Sequence, residues 1–353
     1  MRGLSVTETC FAIPGDIDSP TGGYGYDRRL LTMLPSFGVN VRHLELPGTY
    51  PAPSQGDLAA TVDTLNSAPP NSTLLIDGLA YGAMPSSVIE KINRRIIALV
   101  HHPLALETGL SERRRAELEA SERAALALAD KVVVTSPATQ RILEADYGVA
   151  KDRVTVALPG TDPALRATGT GTPLQLLCVG TVTPRKAYDV LIEALLPLKH
   201  LDWRVNIAGA LDRDRETVAA LNAQIAAAKL EDRVSLPGVV VPATLDRFYE
   251  STDLFVMPSR FEGYGMALAE AMARGLPIIC STGGAAAETV PDGAALKVPP
   301  GDVAALTKAL ESALTDKRLR VRLADASWEH GRSLPTWNET ARRVAAAILD
   351  IPT

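Results

Sequence analysis

Residues 164–181, ALRATGTGTPLQLLCVGT, divide the sequence. The first half is rich in Gly and Thr and carries no periodicity, the composition of a linker. The second half is a continuous apolar run that stops at a glycine, the pattern of a strand buried on both faces. Before the divide, short apolar runs recur: CFAIPG, VRHLEL, STLLIDG, IIALVHH, KVVVTS and RVTVALPG. Helical segments are predicted between them, near residues 24–36, 57–67, 85–92, 111–129 and 137–146. After it the rhythm restarts with QLLCVGT, WRVNIAG, RVSLPG, DLFVMPS, PIICSTGG and AALKVPP.

Strands alternating with helices call for parallel sheets covered on both faces. A chain of 353 residues exceeds the usual single core. The fold class expected is therefore α/β, with two facing Rossmann-like doubly wound domains, residues 1–165 and 166–335. A C-terminal helix, 336–353, packs back on the first of them; the final segments, 317–330 and 335–350, read as helices packing the outside, with Trp328 and Trp337 as core anchors. In such sheets ligands sit beyond the carboxyl ends of the strands, so a shared ligand is expected in the cleft between the domains.

The net charge of −5 argues against a general nucleic-acid binder, which needs a cationic surface. A basic cluster (Lys91, Arg94, Arg95, Arg113, Arg114, Arg115, Arg123) is interleaved with Glu90, Glu107, Glu112, Glu117, Glu119 and Glu122. It reads either as a solvated helix face or as a contact with anionic lipid. Cys10, Cys178 and Cys280 each lie inside an apolar run and read as packed thiols. There is no run of about 18 apolar residues. The expectation is a cytoplasmic protein, with peripheral contact to the inner face of the membrane left open.

GGYGYD and EGYGMAL both lack the third glycine of a dinucleotide fingerprint, which argues against nicotinamide and flavin chemistry. Gly22 and Gly23, after the first strand and before a helix, could bring bare backbone N–H groups to a phosphate or form a simple turn. Arg185 and Lys186 precede a helix, where cations suit a diphosphate; solvated loop cations are the alternative. His101 and His102 end the IIALV strand, where at least one can face a substrate. The short acidic pairs Asp16-x-Asp18 and Asp212-x-Asp214 carry little weight as metal motifs, and neither a required metal nor a cofactor is expected.

SRFEGYGMALAEAMARGLPI, residues 259–278, holds Glu262 on a glycine turn and Glu270 in an apolar helix. Eight helical positions span about 12 Å, too far for paired glycosidase carboxylates. The two read as grips on the two ends of an elongated ligand such as a nucleoside diphosphate sugar.

With GTVTPRK, DLFVMPSRFEGYGMALAEAMARGLPIICSTGGAAAE and VPPGD, the chain resembles the retaining glycosyltransferases of family 4, which have the GT-B fold. The resemblance covers nearly the whole length and implies sugar transfer from a nucleotide diphosphate donor with retention, without a metal. It implies an acceptor-binding first domain and a donor-binding second. By the resemblance Glu262 holds the donor sugar, Glu270 the ribose, and Arg185 with Lys186 the diphosphate. Gly22, Gly23, Thr181, Gly263, Tyr264, Gly265 and the outlying Val239 join the donor site. His101 is expected over the donor sugar, with His102 as its rival. Two departures stand out: Thr181 where many relatives have Arg, and Ala187 where glycine usually follows the Arg-Lys pair. A UDP-linked donor and a membrane-lipid or cell-envelope glycan acceptor are the family's habit. A nucleotide-sugar epimerase or hydrolase, and a sugar-binding protein, are the rival readings.

Overall fold

The computed structural model describes residues 8–351. The first sheet contains β1 (Glu8–Pro14), β2 (Asn40–Leu46), β3 (Thr73–Asp77), β4 (Arg95–Val100), β5 (Lys131–Val134) and β6 (Val154–Val156), in the order β2-β1-β3-β4-β5-β6. The second contains β7 (Leu174–Val179), β8 (Trp203–Ala208), β9 (Val234–Gly238), β10 (Leu254–Met257), β11 (Ile278–Ser281) and β12 (Ala295–Val298), in the order β12-β11-β10-β7-β8-β9. Every pairing is parallel. Each apolar run of the sequence is one of these strands.

Burial explains their composition. The central strands β3 and β10 are buried at every position, so they read as unbroken apolar runs. The edge strands β2 and β9 alternate exposed and covered residues, as one-sided strands must.

The chain divides into two units, one running to Gly160 and resuming at Pro335, the other from Thr161 to Leu334. The sequence reading placed the crossover at 165/166, inside the Gly/Thr-rich stretch. The residues after that point are pinned to the second unit. The Asp253 carboxylate accepts from the backbone N–H of Gly171 at 3.0 Å and Gln175 at 2.8 Å, and from Thr170 Oγ1 at 3.0 Å. The Glu250 carbonyl accepts from the N–H groups of Thr168 and Gly169. A segment without periodicity is thereby ordered by a carboxylate some 80 residues away in sequence.

The helix Trp337–Leu349 belongs to the first unit: Thr340 Oγ1 donates to the Leu158 carbonyl at 2.6 Å, and Arg95 donates to the carbonyl of Ile348. Trp337 is buried there, whereas Trp328 is only half-buried on the helix Lys317–Gly331 of the second unit.

Strand order fixes where a ligand can enter each unit. In the second, the order reverses between β7 and β10, the switch point of the classical dinucleotide-binding sheet. In the first, it reverses between β1 and β3. The loops leaving those strands carry most of the expected site residues.

Candidate functional site

In the second unit the loop after β7 carries Thr181, Arg185 and Lys186, and the loop after β10 carries Glu262, Gly263, Tyr264 and Gly265. The structure joins them through charge. Lys186 Nζ donates to Glu262 Oε1 at 2.7 Å, and Arg185 NH1 approaches Oε2 at 3.4 Å. The same guanidinium donates to the Phe261 carbonyl at 2.8 Å, and Arg260 N–H donates to the Arg185 carbonyl at 2.7 Å, stitching the two loops together. Burial alone would raise the Glu262 carboxyl, but Lys186 and Arg185 beside it overcome that and hold it at about 2. Two cations thus bracket one carboxylate in a mostly buried setting.

Glycines hold the Glu262 loop in place. Glu262 bridges Gly284 in a parallel arrangement, its N–H donating to the Gly283 carbonyl and its carbonyl accepting from Ala285 N–H at 2.8 Å. A Cβ on Gly284, which has φ +64°, would stand 2.3 Å from the Glu262 carbonyl oxygen. The helix Met266–Ala273 then starts on Gly265, which is left-handed. Tyr264 is buried, and its carbonyl accepts from Thr289 Oγ1, so it presents backbone rather than ring.

Ala187 caps the helix Tyr188–Leu195 in the left-handed conformation, φ +53°. Glycine is the residue suited to this geometry, and Ala bears the strain here.

Glu270 stands apart from Glu262, on the helix. Its Oε2 accepts from the Tyr249 hydroxyl at 2.7 Å, and Arg274 lies over the Tyr249 ring at 4.3 Å. Burial raises the Glu270 carboxyl, against the pull of Tyr249 and Arg274. Val239 follows the edge strand β9 and is 56% exposed, an apolar surface two strands away from β7.

In the first unit, Gly22 and Gly23 are the first residues of the helix Gly22–Met33, not a loop before it, with Thr21 as N-cap. That helix starts two residues earlier than the sequence pattern suggested, because the Thr21 side chain accepts from Tyr24 N–H. A Cβ on Gly23 would lie 3.3 Å from His101 Cδ2, so bare backbone at 23 is what seats the imidazole.

The histidine doublet splits. His101 Nε2 lies 3.2 Å from Asp27 Oδ1 and 3.5 Å from Asp77 Oδ2, and its ring meets Tyr26 edge-on at 5.4 Å. His102 pairs with Glu107 at 3.4 Å. Asp27 and Asp77 escaped the sequence reading. Asp77 left a faint signal, an acid ending the apolar run STLLID; Asp27 looked like any polar helix residue.

Asp27, Asp77 and His101 are the one group among the described residues whose donor atoms all lie within 4.8 Å of one another. The imidazole lies between the carboxylates as their hydrogen-bonding partner, the arrangement of a charge cluster. The acidic pairs of the sequence serve the local backbone. Asp16 accepts from Asp18 N–H, and Asp214 caps the helix Arg215–Ala227.

Part of the basic cluster lies on the helix Glu112–Leu128, where Arg113 and Arg114 share Glu117 and Arg123 pairs with Glu119. Among the described residues no helix is long and apolar enough to cross a membrane.

Comparison with known proteins follows these two units. Residues 166–330 match the family profile described as glycosyl transferases group 1, and residues 75–165 match glycosyltransferase family 4. Mannosylfructose-phosphate synthase of Agrobacterium fabrum is 29% identical over 62% of this chain and 52% of its own length. A lipopolysaccharide core biosynthesis mannosyltransferase, LpcC, of Rhizobium leguminosarum bv. viciae is 30% identical over 62% of this chain and 63% of its own. The chain thus spans between about half and two thirds of the curated relatives it matches. Among solved structures, sucrose-phosphate synthase of Thermosynechococcus elongatus aligns with TM-score 0.80 at 22% identity, over 95% of this chain and 97% of that one. Anabaena HepE in complex with UDP-glucose aligns with TM-score 0.75 at 18% identity, over 97% and 99%. At such identities these two likenesses speak for the fold alone.

Proposed function

Since the chain belongs to the family 4 glycosyltransferases, with residues 75–165 matching the family 4 model and residues 166–330 the glycosyl transferases group 1 model, we propose that it transfers a sugar from a nucleotide diphosphate donor to an acceptor hydroxyl. The observation that carries this reading is the Arg185–Lys186–Glu262 cluster. It sets two cations beside one carboxylate, at the β7/β10 switch point and just ahead of the helix Met266–Ala273. Diphosphate is the substrate part that such a charge suits.

In this reading Arg185 and Lys186 neutralise the leaving diphosphate, in place of a divalent ion. Glu262, kept ionised, orients the sugar hydroxyls and stabilises positive charge developing at the anomeric carbon. Glu270, steadied by Tyr249, takes the ribose. Thr181 and the backbone of Gly263, Tyr264 and Gly265 line the donor, and Val239 offers an apolar rest for the base. On the first unit the helix start at Gly22 and Gly23 and the imidazole of His101 contribute to the donor, while His102 is engaged with Glu107. The carbon–oxygen bond to the diphosphate breaks, the acceptor oxygen bonds to the same face, and the leaving phosphate takes the acceptor's proton. Retention at the anomeric carbon follows.

A uridine donor is supported by HepE, whose solved complexes contain UDP and UDP-glucose. A lipid or cell-envelope glycan acceptor is supported by the lipopolysaccharide core assignment of LpcC. The test is a panel of nucleotide sugars screened for thermal stabilisation, followed by anomeric analysis of product formed with membrane extract and with EDTA present. We expect one UDP-sugar to stabilise the protein and to yield a retained linkage with EDTA. Donor converted to an altered sugar without acceptor would contradict transfer.

A further inference from the structure

His101 stands in surroundings that contact with a sugar does not by itself require. Two carboxylates converge on its Nε2, and their side chains are 0% and 4% exposed while the imidazole keeps 21%. A neutral ring has a single N–H to give, and a buried carboxylate left uncompensated is costly. Asp77 spends Oδ1 on the N–H of Leu79 at 2.7 Å, and Asp27 Oδ2 has no hydrogen-bonding partner among the described residues. Among those residues neither carboxylate is ion-paired with a lysine or arginine. His101 is their cation.

The ring is also fixed mechanically. Tyr26 meets it edge-on and is itself held by its hydroxyl bond to the Ala157 carbonyl at 3.0 Å. Gly23 closes over Cδ2 and Nε2, and Thr135 Oγ1 donates to the His101 carbonyl at 3.1 Å. The titratable groups facing the imidazole are therefore Asp27 and Tyr26 from the helix Gly22–Met33 and Asp77 from the end of β3; Thr135, just after β5, reaches only the His101 carbonyl.

We propose that Asp27 and Asp77 are positioning residues that lock His101 as an imidazolium with its Nε2 edge turned into the protein. His101 then serves the donor as a fixed cationic hydrogen-bond donor and not as a general base, an assignment that rests on the donor reading given above. Burial disfavours the charged ring, but the two carboxylates outweigh it and raise the group to about 10. The same arrangement favours a glycine at 23: an added Cβ would stand 3.3 Å from His101 Cδ2, and the ring would have to give by a few tenths of an ångström.

The test is nitrogen-15 NMR of histidine-labelled protein from pH 6 to 9, with the His101 signals identified by their loss in His101→Asn. We expect both ring nitrogens of His101 to stay protonated at pH 8 in the wild-type protein. In Asp27→Asn the midpoint should fall by one pH unit or more, roughly the effect of losing one close charge, and kcat/KM should then decline as pH rises through the new midpoint. Asp77→Asn, with the longer contact, should shift less and serves if Asp27→Asn does not fold. A neutral ring at pH 8 in the wild type, an unmoved midpoint in a folded variant, or His101 signals displaced by stoichiometric zinc would each overturn the assignment. A cationic His101 whose His101→Asn variant transfers sugar at the wild-type rate would support the lock and remove His101 from the donor site.

Discussion

The two units place opposite charge arrangements at equivalent points of their sheets. At the β7/β10 switch one carboxylate, Glu262, lies between two cations; beside the β1/β3 switch one imidazole, His101, lies between two carboxyl groups. The first is electropositive and suits an anion. The second repels one and instead charges a histidine. On the proposed function a diphosphate finds its charge partners in the second unit, and what the first unit offers is a single held ring beside a helix start.

The largest effect expected from breaking this contrast is that of Lys186→Ala. It removes one of the two cations and leaves Glu262 with Arg185 alone, so turnover at saturating donor should fall by about a thousandfold. Unfolding measurements should show a loss of about 1.5–3 kcal/mol from the missing charge-assisted hydrogen bond.

The same carboxylate predicts a pH window. Its folded value of about 2 lies below the ordinary 4.5, so its contribution is complete above the ordinary value and is lost as pH falls towards 2. Glu262→Gln lacks this titration. The stability gap between wild type and variant should shrink by roughly 3 kcal/mol across that interval, read from denaturant midpoints at each pH; a constant gap would mean that the carboxylate is not held ionised.

Gly284→Ala should cost roughly 2 kcal/mol, because it combines positive φ with backbone contact against the Glu262 carbonyl. Gly23→Ala meets a movable imidazole edge and should cost less. Equal melting temperatures for the two would refute the picture of a rigid Glu262 loop.

Tyr249→Phe removes the hydroxyl that steadies Glu270. Donor KM should rise about threefold to tenfold at unchanged kcat, on the order of 1 kcal/mol; a change confined to kcat would place Glu270 elsewhere than on bound donor. The smallest effect is that of Ala187→Gly. It relieves about 1–2 kcal/mol of left-handed strain and loses a buried methyl worth about 0.8 kcal/mol, so the protein should melt slightly higher or unchanged.

What the sequence disclosed follows from the range over which its physics acts. Strands buried on both faces announce themselves locally, and so do Arg185, Lys186 and Glu262, whose charges interrupt loops at strand ends. The order of the Gly/Thr stretch did not, because it depends on Asp253, far along the chain. Asp27 was equally silent. Its place on an ordinary helix says nothing about His101, which reaches it only once β1, β3 and β4 are side by side.

The most direct test of the central claim is calorimetric titration of UDP, UMP and uridine into wild-type protein and Lys186→Ala. An anion site at the β7/β10 switch predicts that UDP binds far more tightly than uridine to the wild type, and that Lys186→Ala loses at least about tenfold for UDP while leaving uridine unchanged. Equal affinity for UDP and uridine, or a Lys186→Ala variant that binds UDP like the wild type, would contradict it.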